Sequence, residues 1–172
     1  MSATDRLSKM LEAAKVGGFA LKKLNWALWM VIPFNKPHRF SVKEVGEDFI
    51  VTHAPFRRRN FNHIRGIHAC GIATIAEFAT GLLLLSRLDA SRYRIIMSTL
   101  KVDYHYQAKK ALDAKATISE NELRNDVIAP LETSDSIFKT VVSEIKDADG
   151  NHVATAHVTW QLKRWDKVKT KV

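Results

Sequence analysis

One carboxylate stands alone in this chain. Between Arg65 and Arg87 the only formally charged side chain is Glu77, set in the otherwise apolar and small-residue run of residues 66–86. An isolated acid in such surroundings must be paired, hydrogen-bonded or shifted in pKa. A desolvated carboxylate suits the work of a general base or a nucleophile; a structural acid paired with an arginine is the alternative. Asn62 precedes His68 by six residues, and Glu77 follows it by nine. The apolar run begins near His68, Ala69 and Cys70. Backbone N–H groups free at a helix start there would hold a developing oxyanion, aided by the helix dipole. No base for a Cys70 nucleophile is identifiable, and Cys70 reads as a small core residue. His53, His63, His68 and Cys70 lack metal-ligand spacing, so no metal is expected.

The elements that must position these groups follow from periodicity. Residues 66–86 are long enough for a helix and apolar on nearly every face, which demands burial inside protein. Ile72, Ile75, Phe78, Ala79 and Leu82 form a bulky side. Cys70, Ala73, Thr74, Thr80 and Gly81 form a small-residue side, with Glu77 among them, where another backbone can come close. Ahead of this helix, residues 4–15 read as an amphipathic helix and Gly17-Gly18 as its end. A second helical piece carries Phe19, Leu24, Trp26, Leu28 and Trp29 to about Met30. Three readings of that piece stand open: a helix packed on the domain, a membrane-surface anchor, or a cover for an apolar channel. Residues 39–54 alternate about a Gly46-Glu47-Asp48 turn and predict a hairpin.

After the long helix the period becomes two. Arg94, Ile96, Ser98, Leu100, Val102, Tyr104 and Tyr106 are expected on one face of a strand, with Tyr93, Met97, Thr99, Lys101, Asp103 and His105 on the other. Leu112, Ala114, Ala116 and Ile118 alternate in the next strand. Residues 121–134, polar and containing Pro130, read as a loop. Two more strands meet at Asp147-Ala-Asp-Gly-Asn151, a strong hairpin signal. The expected fold class is α+β: an antiparallel β-sheet with one face on a long central helix, with extra N-terminal helices.

At 172 residues the chain is long enough for one domain with a substantial core. Its single cysteine excludes an intrachain disulfide and suits a reducing, cytoplasmic setting. The net charge of +9 favours an anionic partner. Much of that excess sits in Arg57-Arg58-Arg59 and in Lys163, Arg164, Lys167, Lys169 and Lys171. No basic helix or recognised motif accompanies it, so nucleic acid is not expected. No signal peptide or transmembrane segment is expected either.

The order of elements, with Asn62, His68 and Glu77 at this spacing, resembles the hot-dog fold of acyl-CoA thioesterases. The branch related to the phenylacetate-pathway and 4-hydroxybenzoyl-CoA thioesterases is the most similar. More narrowly, Arg59-Asn60-Phe61-Asn62-His63-Ile64 through Glu77 and Gly81 is similar to the DUF4442 group of that superfamily. The resemblance covers about residues 38–163. It divides the chain into an N-terminal helical extension (1–37), a hot-dog domain (38–165) and a basic tail (166–172). It implies hydrolysis of an acyl-CoA or acyl carrier protein thioester, with Glu77, Asn62 and His68 catalytic and the Ala69 and Cys70 amides on the oxyanion. His63, Thr99, Arg57, Arg58, Arg59 and Lys101 would contact substrate, the cations holding the phosphates of coenzyme A. Coenzyme A enters as part of the substrate, and no separate cofactor is implied. In the family, two protomers share each active site, which implies a homodimer or a dimer of dimers. The departure is His68-Ala69-Cys70, where the family usually has two glycines after the His. That departure motivates an alternative, a non-catalytic acyl-CoA-binding protein. A hot-dog dehydratase or hydratase is another.

Overall fold

The computed structural model describes residues 3–168. Lys169 and Lys171, part of the expected basic tail, lie outside the described residues. Three helices come first: α1 (Ala3–Ala14), α2 (Gly18–Val31) and the short α3 (Asn35–His38). Gly17 and Gly18 break the first two apart at φ 69° and 58°, a region glycine enters at little cost. The hairpin β1 (Ser41–Val45) and β2 (Phe49–Ala54) follows, then α4 (Ala69–Arg87). β3 (Tyr93–Tyr104), β4 (Leu112–Thr117), β5 (Ser136–Asp147) and β6 (His152–Arg164) complete one six-stranded antiparallel sheet in the order β1-β2-β4-β5-β6-β3. The sheet curls around α4, and this is the hot-dog fold.

α4 is the core. Ile75, Ala76, Ala79, Leu83 and Leu84 are fully buried against Ile50, Leu112, Ala114, Ile145 and Leu162 from the sheet. By length and composition α4 could cross a bilayer, yet ten of its residues are buried within the protein. Its register on the sheet is pinned by Thr52, whose buried hydroxyl donates to the Ile75 carbonyl at 2.6 Å. The bulky side enters the sheet as expected. Of the small-residue side, only the C-terminal half is covered; Cys70 is exposed and Ala73 and Thr74 are half-buried.

The two sheet edges are treated differently. α2 covers β1: the Asn25 amide donates to the Val42 carbonyl (2.8 Å) and its Oδ1 accepts from the Val42 N–H (2.7 Å). Trp29 Nε1 also donates to the Phe40 carbonyl at 2.6 Å. Edge backbone that would template aggregation is thereby satisfied. At the other edge, β3 presents a long strand with Ile96 and Met97 exposed.

Two expectations are corrected. Residues 121–134 are not a loop. A helix α5 (Glu120–Leu123), a π-helical turn (Arg124–Ile128) and α6 (Ala129–Thr133) run through them. Ser119 and Glu122 form a reciprocal capping box. Leu123, Val127 and Leu131, spaced by four, are the buried side. The facing of β3 also changes along its length, because a bulge between Met97 and Thr99 inserts one residue. Ile95 and Met97 precede it on the α4 face; Leu100, Val102 and Tyr104 follow on that face, while Thr99 and Lys101 pair with the outward Thr159 and His157.

Candidate active site

The start of α4 is set by a tight loop. A bridge pairs Phe61 with Ile67, and within it the Asn62 N–H donates to the Gly66 carbonyl at 2.8 Å. Asn62 Oδ1 accepts from the Ile64 and Gly66 N–H groups at 3.1 and 2.9 Å. An asparagine folding its own backbone in this way is a turn-builder. His68 then caps the helix: its Nδ1 accepts from the Cys70 N–H at 3.1 Å, which places the ring proton on Nε2. The Cys70 amide is therefore engaged. The Ala69 N–H makes no hydrogen bond among the described residues, and it lies at the positive end of the α4 dipole.

Glu77 lies two turns along α4, half-buried. Burial alone pushes its carboxyl above the ordinary carboxylate range; no cation or hydrogen bond among the described residues draws it back. It opens into a cavity of about 270 Å³ walled by Ile32, Phe34, Phe78, Leu85, Ile95 and Trp160. Gly81, one turn on, lets the Trp160 wall of that cavity pack closely on the helix. A Cβ there would stand 2.8 Å from Cη2 of Trp160. The indole is held in turn by the Thr80 hydroxyl, which accepts from Trp160 Nε1 (3.1 Å) and donates to the Glu77 carbonyl (3.0 Å). Helix backbone and indole are thus fixed together.

A second cavity, about 210 Å³, adjoins the helix start and is lined by His68, Cys70, Gly71, Arg59, His38 and Phe34. Phe34 belongs to both cavities. Together they trace one side of α4, with roughly 10 Å of helix axis between Cys70 and Glu77. The arrangement supplies a desolvated base or nucleophile, an apolar wall, a helix N-terminus and one guanidinium.

The residues singled out in the sequence do not all meet there. Glu77, His68, Cys70 and Arg59 line the two cavities. Asn62 and the exposed His63 belong to the neighbouring loop and line neither. Arg57 is half-buried and Arg58 exposed beside Arg59. Thr99 and Lys101 lie on the outer face of the sheet, and Lys101 pairs with Asp103 at 3.1 Å.

Two asparagines were given no role by the sequence. Asn60 is buried; its amide donates to the His38 and Pro55 carbonyls, and its Oδ1 meets His38 Nδ1 at 3.0 Å. It ties α3 to the loop ahead of α4. Asn35, only 2% exposed, lines the Glu77 cavity. Its place on the cavity wall makes it a candidate ligand-facing group. Nothing in the local pattern Pro33-Phe34-Asn35-Lys36-Pro37 distinguishes it from a turn residue.

The family described as Domain of unknown function (DUF4442) matches residues 21–162. No curated protein matches the sequence at a significant level. Among solved structures, the chain is similar to a Pseudomonas aeruginosa protein of unknown function called a "Probable Thioesterase". That likeness has a TM-score of 0.75 at 19% identity, covering 81% of this chain and 93% of the other. A thioesterase from Haemophilus influenzae superposes with a TM-score of 0.66 at 14% identity, covering 86% and 92%. A Staphylococcus aureus thioesterase, solved as a point mutant, gives 0.63 at 14%, covering 76% and 98%.

Proposed function

The chain belongs to the DUF4442 family, and from that premise we propose that it hydrolyses acyl thioesters, with Glu77 as general base or nucleophile. The observation that carries this reading is a carboxylate without an ion pair among the described residues, lifted by burial, at the wall of an open apolar cavity. The thioesterase names of the Pseudomonas and Haemophilus proteins support the same class. As base, Glu77 takes a proton from water as its oxygen attacks the thioester carbonyl carbon. The tetrahedral oxyanion collapses, the C–S bond breaks, and the thiolate departs with its electron pair, leaving a carboxylic acid. As nucleophile, Glu77 attacks the carbonyl carbon itself, the C–S bond breaks as the thiolate leaves, and water then hydrolyses the resulting mixed anhydride to return the free carboxylate.

In this proposal the oxyanion donor is the Ala69 N–H of a second copy of the chain, backed by that copy's α4 dipole, because about 12 Å of helix axis separates Ala69 from Glu77 within one protomer. Asn35 orients the attacking water, or the acyl carbonyl, from within the cavity. Asn62 reaches a site only from a partner protomer, and the open edge of β3 is where a second copy would add its strand. Arg59, which lines the cavity at the start of α4, would receive the phosphates of coenzyme A or of a carrier-protein arm, together with the neighbouring Arg57 and Arg58. A cytoplasmic homo-oligomer completes the reading. One observation favours a second: with the Cys70 N–H tied to His68, fewer amides face the oxyanion, and acyl-CoA would then be bound without turnover.

The test is direct. Purified protein is incubated with acyl-CoA and acyl carrier protein thioesters of graded chain length, and released thiol is followed colorimetrically. Turnover on one class is expected. Silence across both, with tight acyl-CoA binding by calorimetry, would leave the binding reading and discard the hydrolase.

A further inference from the structure

α2 is amphipathic in an unusual sense. Its inward side carries Leu21, Leu24 and Leu28, with Asn25 locked onto β1. At 100° per residue its opposite side carries Phe19, Lys22, Lys23, Trp26 and Met30. Phe19 is 82% exposed, Trp26 66% and Met30 58%. Val16 before the helix and Val31 and Phe34 after it are exposed as well. Large apolar side chains clustered in water on one face mark an interaction surface.

The charge around this face selects the partner. From Lys15 to Lys43 the sequence contains no Asp or Glu. Lys22, Lys23, Lys36 and Arg39 are exposed there and form no ion pair among the described residues. A second copy of this face would set lysines against lysines, so isologous self-pairing is opposed by charge. An anionic bilayer surface complements both features: phosphate headgroups meet the lysines, and the aromatic and aliphatic side chains enter the headgroup–acyl boundary. Tryptophan favours that depth. The helix has 14 residues, about 21 Å, too short to span a hydrocarbon core of about 30 Å.

We propose that the outer face of α2, with the turn that follows it, lies on the surface of membranes containing anionic lipid. Ile32 and Phe34, just beyond α2, wall the Glu77 cavity. Resting on the hydrolase reading, this places the cavity mouth beside the bilayer, where long-chain acyl substrates partition.

The experiment needs no substrate, so its failure is separate from failure of the hydrolase reading. The full chain is sedimented with vesicles of phosphatidylcholine alone and of equimolar phosphatidylcholine and phosphatidylglycerol. Binding is expected to the anionic vesicles only, weakening as salt rises. Reversing Lys22→Glu and Lys23→Glu together should lower the affinity at low salt by at least about 25-fold, taking roughly five-fold for each lysine near such a surface. Phe19→Ser with Trp26→Ser should abolish the salt-resistant part. These residues are exposed, so circular dichroism and melting should match the parent; a soluble short-chain thioester should still be turned over normally. No binding to the anionic vesicles, or binding that neither double variant changes, overturns the proposal. So does loss of self-association in Phe19→Ser with Trp26→Ser without any lipid binding, which would make the face an interface between copies.

Discussion

Replacing Gly81 by alanine should destabilise the protein although it adds a better helix former. The new Cβ would lie 2.8 Å from Cη2 and 3.0 Å from Cζ2 of Trp160. Carbon pairs rest at about 3.5 Å or more, so the ring must yield by roughly 0.7 Å. It is poorly able to do so: Trp160 is 6% exposed and its Nε1 is held by the Thr80 hydroxyl. Overpacking of this kind costs about 1–3 kcal/mol, against a helix-propensity gain of about 1 kcal/mol. The net expectation is a loss of about 1 kcal/mol, read as a urea midpoint shift and a Tm lower by roughly 2–4 °C. Trp160→Phe removes the clashing atoms, so in that background Gly81→Ala should stabilise instead. The double-mutant cycle should return a coupling of about 1 kcal/mol or more. A coupling below about 0.5 kcal/mol, within ordinary additivity, would refute the claim that Gly81 exists for the indole.

Other perturbations have equally definite signs. Glu77 is an acid whose pKa is raised in the folded state, so ionising it opposes folding. The penalty is absent at pH values where both states are protonated, develops as pH rises through the unfolded carboxylate range, and is full above the folded value. Glu77→Gln should therefore raise Tm at pH 8 while leaving it unchanged in acid, measured by scanning fluorimetry across pH. Ser119→Ala removes the capping box and should cost about 1 kcal/mol, with hydrogen exchange accelerated in residues 120–133. Ser143 is fully buried, and its hydroxyl has no partner among the described residues, so Ser143→Ala should be neutral or stabilising by up to about 1 kcal/mol in urea unfolding. Thr80→Val, which strands the Trp160 N–H, should cost about 1–3 kcal/mol in the same assay.

The fold was legible where hydrophobic period was strong. The long apolar run, the hairpin at 39–54 and the alternation of residues 112–118 each place an element correctly, because burial on one face repeats at a fixed step. Legibility failed where one residue resets the pattern. The bulge after Met97 sends Thr99 outward, and strict alternation has no means of announcing an inserted residue. Residues 121–134 were obscured by polarity and Pro130, although Ser119-x-x-Glu122 and Leu123, Val127, Leu131 carry the helix signal. At the site, Glu77 was legible as the single carboxylate of its helix. Asn35 was not, since its importance comes from burial against residues distant in sequence.

The central claim is that the Glu77 carboxylate performs the chemistry, and kcat/KM for thioester hydrolysis by Glu77→Gln against the parent tests it most directly. The account predicts a fall of about 100-fold or more, the scale of a lost base. It also predicts a parent profile whose acidic limb lies above the ordinary carboxylate range, as burial requires. Hydrolysis by Glu77→Gln at the parent rate, with the same pH profile, would contradict it.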